Sequence, residues 1–231
     1  RLPNIEVETK SASSDLTAKT YTDTEQTISI NTHQGVAIKV ESIVKVLEQT
    51  DVAAEMQKKM GYGLARATDV NLAALFASFS QIVGTLGTEL TFDNLLRAVQ
   101  YEKESGYKMP ECTWFFSAAQ ELALHKMDSF THASYRGEDL ARASSVKGTI
   151  EFFMDAPMVV SNLLTSPASG QHDNALVHKK GIALIVALDN KLWTESIALS
   201  LAEVIAMEKI YGFSEIDKYS EAAGNITATD E

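Results

Sequence analysis

TISINTHQGVAIKVES (residues 27–42) alternates apolar and polar side chains over an unusual length. The apolar residues fall at even positions, namely Ile28, Ile30, Val36, Ile38 and Val40. Residues 32–35 fit neither two-residue hairpin turn, and the alternation crosses them without losing phase. The pattern therefore predicts one strand over residues 25–41, about 50 Å long at about 3.3 Å per residue.

The residues before this strand predict the rest of a projecting ribbon. Residues 2–8 alternate weakly, and residues 10–26 are rich in Ser and Thr with almost nothing to bury. We interpret residues 1–41 as a two-stranded ribbon that extends from the body of the protein. An isolated ribbon is marginally stable in water, so we expect it to lie on a neighbour.

A long helix is predicted after the ribbon. Apolar residues recur every four positions at Val52, Met56, Met60 and Leu64. The apolar face continues to residue 79, which predicts about eight helical turns. Gly61 and Gly63 lie inside this helix, where each costs about 1 kcal/mol relative to alanine. Close approach by another backbone would offset that cost.

Local signals place several further elements. A second helix is predicted to begin after Thr91 as N-cap and to end at Gly106. CTWFF (112–116) predicts a buried strand, and Ser117 with Gln120 forms a capping box that opens a helix to Lys126.

The remaining segments alternate between strand and loop predictions. Strands are predicted within residues 149–154, 157–164 and 180–188. Residues 165–174 predict a polar loop, and residues 225–231 a frayed tail. Residues 194–212 have helical periodicity, although their β-branched members leave strand segments open.

Composition limits the classes of function. The 231 residues are 45% hydrophobic, enough for a packed core, and the net charge of −11 disfavours non-specific adhesion to nucleic acid or anionic membranes. The single cysteine, Cys112, rules out an intrachain disulfide framework. The longest apolar stretch, 181–188, is too short to span a membrane. The sequence opens at Arg1, so we expect processing or a missing upstream segment, with synthesis in the cytoplasm.

No arrangement of residues favours an enzyme or a metal site. GYGLAR (61–66) has only two glycines of a dinucleotide fingerprint and lies in a predicted helix. Neither the pair His125 and His132 nor the pair His172 and His178 has helical metal-ligand spacing. Cys112 reads as a small core residue, and Asp69, Asp155 and Glu195 form no acid–base pair. We therefore assign no catalytic, cofactor-binding or metal-binding residue.

The order of several motifs resembles the major capsid proteins of tailed phages. The long strand followed by VAAEMQKKMGYGLARATDVNLAALF (52–76) resembles the extended loop feeding the spine helix. TWFFSAAQELAL (113–124), KGTIEFFMDAPMVVSNLL (147–164), ALVHKKGIALIVAL (175–188) and EKIYGF (208–213) resemble later segments, so the resemblance covers most of residues 1–213. Two departures are Asp155-Ala156, where the family usually has a glycine before the proline, and the absence of the family's N-terminal arm.

The resemblance implies an α+β fold, the phage major-capsid fold. It implies a projecting two-stranded extended loop over residues 1–41 and a peripheral domain with the spine helix over 42–107. An α/β axial domain would span 108–196, and 197–231 would return to the peripheral domain and form the C-terminal tail. The long strand would then be long because its partner is another chain, with the even positions from Ile28 to Val40 as assembly contacts, against a neighbour or the body's own sheet. Lys10 and Lys19 lie in the loop tip, where some members form a Lys–Asn isopeptide crosslink, but no motif identifies the asparagine or the acid, and a crosslink is not favoured.

The function implied by the resemblance is structural. The chain would self-assemble into hexamers and pentamers of an icosahedral shell that encloses phage DNA without binding it tightly, with no cofactor and no membrane contact. Its partners would be copies of itself, with scaffolding, portal and decoration proteins as further candidates, in a virion assembled in the host bacterial cytoplasm. The alternatives are an encapsulin-like cargo shell and a small cytosolic α/β enzyme, which would have a concave polar pocket.

Overall fold

The structure, a computed structural model, describes residues 9–10, 12, 27–41, 43, 52–79, 81–85, 88–131, 150–164, 171–216 and 223–229. The first predicted strand (2–8), most of the predicted loop tip and Lys19 lie outside these residues. The two-stranded ribbon therefore stays a prediction.

The described elements mix helices and strands, as the predicted α+β class requires. The helices are α1 (Val52–Ala73), α2 (Phe92–Glu104), α3 (Ala118–Lys126) and α4 (Asp128–Thr131). The strands are β1 (Thr32–Glu41), β2 (Gln81–Val83), β3 (Cys112–Phe116), β4 (Phe152–Phe153), β5 (Ala156–Val160), β6 (Gln171–His178), β7 (Ile182–Ile197), β8 (Ala202–Glu215) and β9 (Ala223–Thr229). Short 3₁₀ turns occupy Ala74–Ser78, Met109–Glu111 and Ala198–Ser200.

The described strands form two sheets. The smaller sheet has the order β1-β8-β7 and is antiparallel throughout. The larger sheet has the order β2-β9-β6-β3-β5-β4 and is mixed, with β3 parallel to β5 and antiparallel to β6. Strand β8 is therefore central in the smaller sheet, while β1 and β7 form its two edges.

Helix α1 lies on the smaller sheet. Its buried residues Met60 and Leu64 pack against Ile205 and Met207 of β8. The α-helix ends at Ala73 and continues as the 3₁₀ turn Ala74–Ser78, so the regular helix is shorter than predicted, about 33 Å for its 22 residues. The apolar periodicity continues through the 3₁₀ turn because Phe76 packs on the larger sheet beside Phe115.

The larger sheet carries the main core, and both predicted helix caps are present there. The Thr91 side chain accepts a hydrogen bond from the backbone N–H of Asn94, and Ser117 accepts one from Gln120. Trp114 and Phe116 of the predicted buried strand have no exposed surface. The two caps and the buried strand could be predicted from the sequence because each depends on residues close together in the chain.

Three local predictions were wrong. Residues 194–212 form no long helix: they belong to β7, a 3₁₀ turn and β8. Residues 171–174, predicted as loop, begin β6, and residues 225–229, predicted as frayed, lie in β9 and pair with β6. In each case pairing with strands distant in sequence overrides a local preference.

The turn at Asp155 forms without glycine. Met154 and Asp155 have φ values of 51° and 66° and connect β4 to β5 between the paired residues Phe153 and Ala156. Both values belong to the left-handed region that a two-residue type I′ hairpin requires, and Asp is one of the side chains that tolerate it.

Candidate assembly surface

Strand β1 begins at Thr32 and pairs along its whole length with β8 of the same chain, so the prediction of a strand over residues 25–41 whose partner is another chain is wrong for residues 32–41. The apolar face of β1 rests largely on the chain's own body. Val40 is buried, and Val36 and Ile38 pack against the cluster that contains Met60 and Ile205. Ile28 is partly buried and Ile30 is 45% exposed. Among the described residues predicted as contacts, the exposed ones are Ile30, which precedes β1, and Lys10.

The chain crosses β8 just before β1 begins. A Cβ atom at Gly212 would overlap the backbone oxygen of Ser29 and lie 2.8 Å from the Cα of Ile30. The first paired residue of β1 is Thr32, opposite Tyr211. Residues 29–30 therefore pass over β8 at Gly212, and only glycine leaves room for this path.

The neighbouring Tyr211 joins α1 to the sheet. Its hydroxyl accepts a hydrogen bond from Asn71 of α1 at 2.7 Å and donates one to Gln34 of β1 at 3.0 Å. Tyr211 is fully buried. The Tyr-Gly pair of the EKIYGF motif thus joins α1, β8 and β1 in one arrangement.

The opposite face of the smaller sheet carries a polar ladder across its three strands. Glu208 of β8 accepts hydrogen bonds from His33 of β1 and from the indole N–H of Trp193 of β7, both at 2.8 Å. The Lys191 ammonium lies 3.9 Å from the centre of the Trp193 ring. The hydrogen bonds from Trp193 and then from His33 lower the pKa of Glu208 below its usual value. The ladder fixes the register of the two edge strands on β8.

Strand β7 is the most exposed apolar element of the described chain. Its exposed large apolar residues are Leu184, Ile185, Val186, Leu192, Trp193 and Ile197. Within the described residues, one edge of this strand has no partner. A long, apolar, unpaired edge is a surface that proteins cover with another strand, another subunit or charges.

The tip of the β7–β8 hairpin continues this apolar surface. Leu199 is fully exposed and Leu201 is 73% exposed, in the left-handed region with φ 46°. This surface was not predicted, because the sequence left residues 194–212 open between a helix and strand segments. A strand reading of the same residues would have found it.

Polar groups near the point where β3 begins and β6 ends form structural pairs. Lys179 donates a hydrogen bond to Glu111 at 2.9 Å, and His178 Nε2 lies 3.2 Å from the same carboxylate. These contacts lower the pKa of Glu111 to about 2, with Lys179 the larger cause. Cys112 is buried, as predicted, and burial and the adjacent Glu102 raise the pKa of its thiol to about 12, which keeps it protonated.

The described part of the chain brings together no group of three His, Cys, Asp or Glu side chains suited to a metal ion. No described helix is both long enough and apolar enough to cross a membrane.

Comparison with known proteins gives matches at the level of structure. No family model and no curated protein matches the sequence. A structure from Mycobacterium phage Che8 matches with a TM-score of 0.78 at 17% identity, covering 92% of this chain and 76% of that chain. The capsid structure of the cyanophage P-SCSP1u matches with a TM-score of 0.78 at 15% identity, covering 100% of this chain and 82% of that chain.

A shell of a different kind matches as well. The holo-SrpI encapsulin complex from Synechococcus elongatus PCC 7942 has a TM-score of 0.64 at 12% identity, covering 91% of this chain and 78% of that chain. Identities this low establish a shared fold and nothing finer. Over nearly its whole length, this chain has the fold found in phage capsids and in an encapsulin shell.

Proposed function

We propose that this chain is the major capsid protein of a phage, which self-assembles into hexamers and pentamers of an icosahedral shell around DNA. The observation that carries the proposal is the match to the cyanophage capsid structure over 100% of this chain and 82% of that one. In this proposal the chain's role is structural, its location is the virion, and assembly takes place in the host bacterial cytoplasm.

The surface of the described chain supports self-association. The exposed apolar edge of β7 and the hairpin tip with Leu199 form a surface that copies of the chain would cover. Each such contact is small, but a closed shell repeats it many times, so modest contacts suffice for a stable particle. The net charge of −11 suits a container that encloses DNA without gripping it.

The sequence-based domain division belongs to this proposal. The extended loop (1–41) would reach across an adjacent subunit, the peripheral domain (42–107 and 197–231) would carry the spine helix, and the axial domain (108–196) would meet other copies around the capsomer axes. Ile28, Ile30, Lys10 and Lys19 would lie on the outward part of the loop. Scaffolding, portal and decoration proteins are further partners of such a shell.

Electron microscopy of the purified protein tests the proposal. We expect negative-stain images to show closed, uniform shells and sedimentation to show a single large species. A protein that stays monomeric or forms only small oligomers across a range of salt and protein concentrations would contradict it and would favour a small enzyme instead.

An encapsulin-like cargo shell is the second candidate, favoured by the structural match to the encapsulin complex. The two candidates differ in what the shell contains. Shells purified from cells that carry the native genetic neighbourhood should contain nuclease-protected DNA under the first proposal and a co-purifying protein cargo under the second.

A further inference from the structure

An open groove lies between α1 and β1. It has a volume of about 640 Å³. Its lining is mainly apolar, with the polar His33 and Gln34 at the β1 side; the large apolar side chains are those of Val36, Ile38, Met56, Met60 and Leu64. Lys59 and Gly63 of α1 lie along its wall. A groove of this size and polarity, open to solvent, accepts an apolar side chain more readily than water.

Within the described residues, no contact explains Gly63. A glycine in the middle of a helix costs about 1 kcal/mol relative to alanine. Sequence reasoning expected a neighbouring backbone to offset this cost, yet a Cβ atom placed on Gly63 meets nothing within 4 Å among the described residues. The missing side chain keeps the groove wide, so the element that would benefit is one that enters the groove from outside.

The hairpin tip carries an exposed apolar side chain of the kind that this groove suits. It is a narrow projection that begins after the last β7–β8 pair, Ile197 with Ala202, and carries the fully exposed Leu199. An exposed carboxylate, Glu195, precedes it on β7, while the exposed ammonium of Lys59 borders the groove. The projection and the groove therefore match in polarity and in charge.

We propose that the hairpin tip of one copy, residues 197–201, inserts Leu199 into the α1–β1 groove of a second copy, with Glu195 of the first near Lys59 of the second. This inference rests on the proposed function, because it names one contact through which shell subunits join. The tip and the groove are different surfaces of the chain, so the contact is head-to-tail, and head-to-tail contacts close into rings when the rotation between copies allows it.

Disulfide trapping in assembled particles tests the contact. The native Cys112 is 1% exposed, so it should not interfere with an engineered pair, Leu199→Cys with Lys59→Cys. Oxidation of assembled shells should give a ladder of linked multimers on a non-reducing denaturing gel, and reductant should collapse the ladder to monomer. The matched control pairs Leu199→Cys with Glu104→Cys, an exposed residue of α2 outside the groove, and should give no ladder.

A second variant keeps the test decisive if the cysteine pair prevents assembly. Leu199→Ser removes the inserted side chain from a fully exposed position, so the melting temperature should stay within about 2 °C while the yield of shells falls at least tenfold. The control Leu122→Ser changes an exposed leucine of α3 and should leave the yield unchanged.

The outcomes separate the two proposals. Three results would overturn the tip-and-groove contact but leave the capsid proposal standing. They are normal shells that give no ladder, an equal ladder in both cysteine pairs, and a normal shell yield from Leu199→Ser. Failure of the unmodified chain to form any shell overturns the proposed function itself.

Discussion

At the scale of single residues, Glu102 is the side chain whose charge state matters most for the fold. It is 2% exposed, in the last turn of α2, and its Oε1 atom has no hydrogen-bond partner among the described residues. Burial raises its pKa to about 8, and a weak hydrogen bond from the Cys112 thiol acts in the opposite direction. The side chain is therefore a neutral acid inside the core at pH 7.

Because Glu102 is neutral in the folded chain, we predict that the free energy of unfolding depends on pH. Between pH 4.5, the ordinary pKa of a glutamate, and about pH 8 the folded chain holds a proton that the unfolded chain releases. The contribution of this proton is fully present below pH 4.5 and is lost as the pH rises to 8, by about 1.4 kcal/mol per pH unit. We expect Glu102→Gln to remove this slope, so that the variant gains stability relative to the parent from pH 5 to pH 8.

Chemical denaturation at several pH values measures this difference. Glu104→Gln, two residues further along α2 and exposed, is the matched control and should show no such trend. Parallel curves for Glu102→Gln and the parent chain would show that Glu102 is ionised in the folded state.

A second prediction at the residue scale concerns the hydroxyl group of Tyr211. Tyr211→Phe leaves the Asn71 amide and the Gln34 carbonyl without their shared partner beside a fully buried ring. We expect a loss of about 1–3 kcal/mol in the free energy of unfolding, measured by urea titration. Tyr62→Phe, in a residue of α1 that is 73% exposed, should change it by less than about 0.5 kcal/mol. Equal effects of the two variants would assign Tyr211 a packing role only.

At the scale of elements, strand β8 organises the smaller sheet. It pairs with β1 on one side and with β7 on the other, and its buried residues Ile205 and Met207 face helix α1. Its sequence has a helical periodicity that favours a helix prediction, but its β-branched residues suit a central strand. The path of the chain into β1 depends on this strand through Gly212.

Substitution of Gly212 is predicted to disturb residues 29–30, which cross β8 at this position. Gly212→Ala places a Cβ atom against the backbone of Ser29 and Ile30, so residues 29–30 must shift. We expect a loss of about 1–3 kcal/mol in stability and a marked fall in shell yield, because the ribbon would leave the body in a different direction. Denaturation and electron microscopy measure the two effects.

Gly61→Ala is the control for this prediction. A Cβ at Gly61 meets nothing within 4 Å among the described residues, and alanine favours the helix by about 1 kcal/mol. The control variant should be as stable as the parent or more stable, with unchanged shell yield. A Gly212→Ala variant that behaves in the same way would show that the crossing is not constrained.

At the scale of the whole molecule, the body and the predicted ribbon have different roles. The described body has its own cores, one on the larger sheet around Trp114 and one between α1 and the smaller sheet. We therefore expect the body to fold without the loop tip. Deletion of residues 10–24 should leave the circular dichroism spectrum and the melting temperature close to those of the parent, while shell formation is impaired.

Replacement of the same residues by a Gly/Ser linker of equal length is the control for deletion, since it keeps the reach of the loop without its side chains. Normal shells from the deletion variant would show that residues 10–24 are not required for assembly. A denaturing gel of assembled parent shells that shows only monomer would argue against a crosslink through Lys10 or Lys19.

The elements that sequence alone determined are those with local signals. The cap residues Thr91 and Ser117, the buried strand at Trp114 and the α1 face at Met60 each follow from the identities of neighbouring residues. The alternation from Ile28 to Val40 likewise predicted a strand with one apolar face, although the strand that forms begins only at Thr32. These features depend on periods of two or of about 3.6 residues and on hydrogen bonds that span a few residues.

Tertiary structure decided which strands pair and which surfaces stay open. Thr32 of β1 pairs with Tyr211 of β8, far along the chain, and no local pattern specifies this pairing. Because β8 forms a strand there, β7 becomes an edge, Leu199 becomes exposed, and Gly212 becomes the crossing point for residues 29–30. The candidate assembly surface follows from these long-range contacts, since hydrogen bonding between distant strands outweighs the helical preference of residues 194–212.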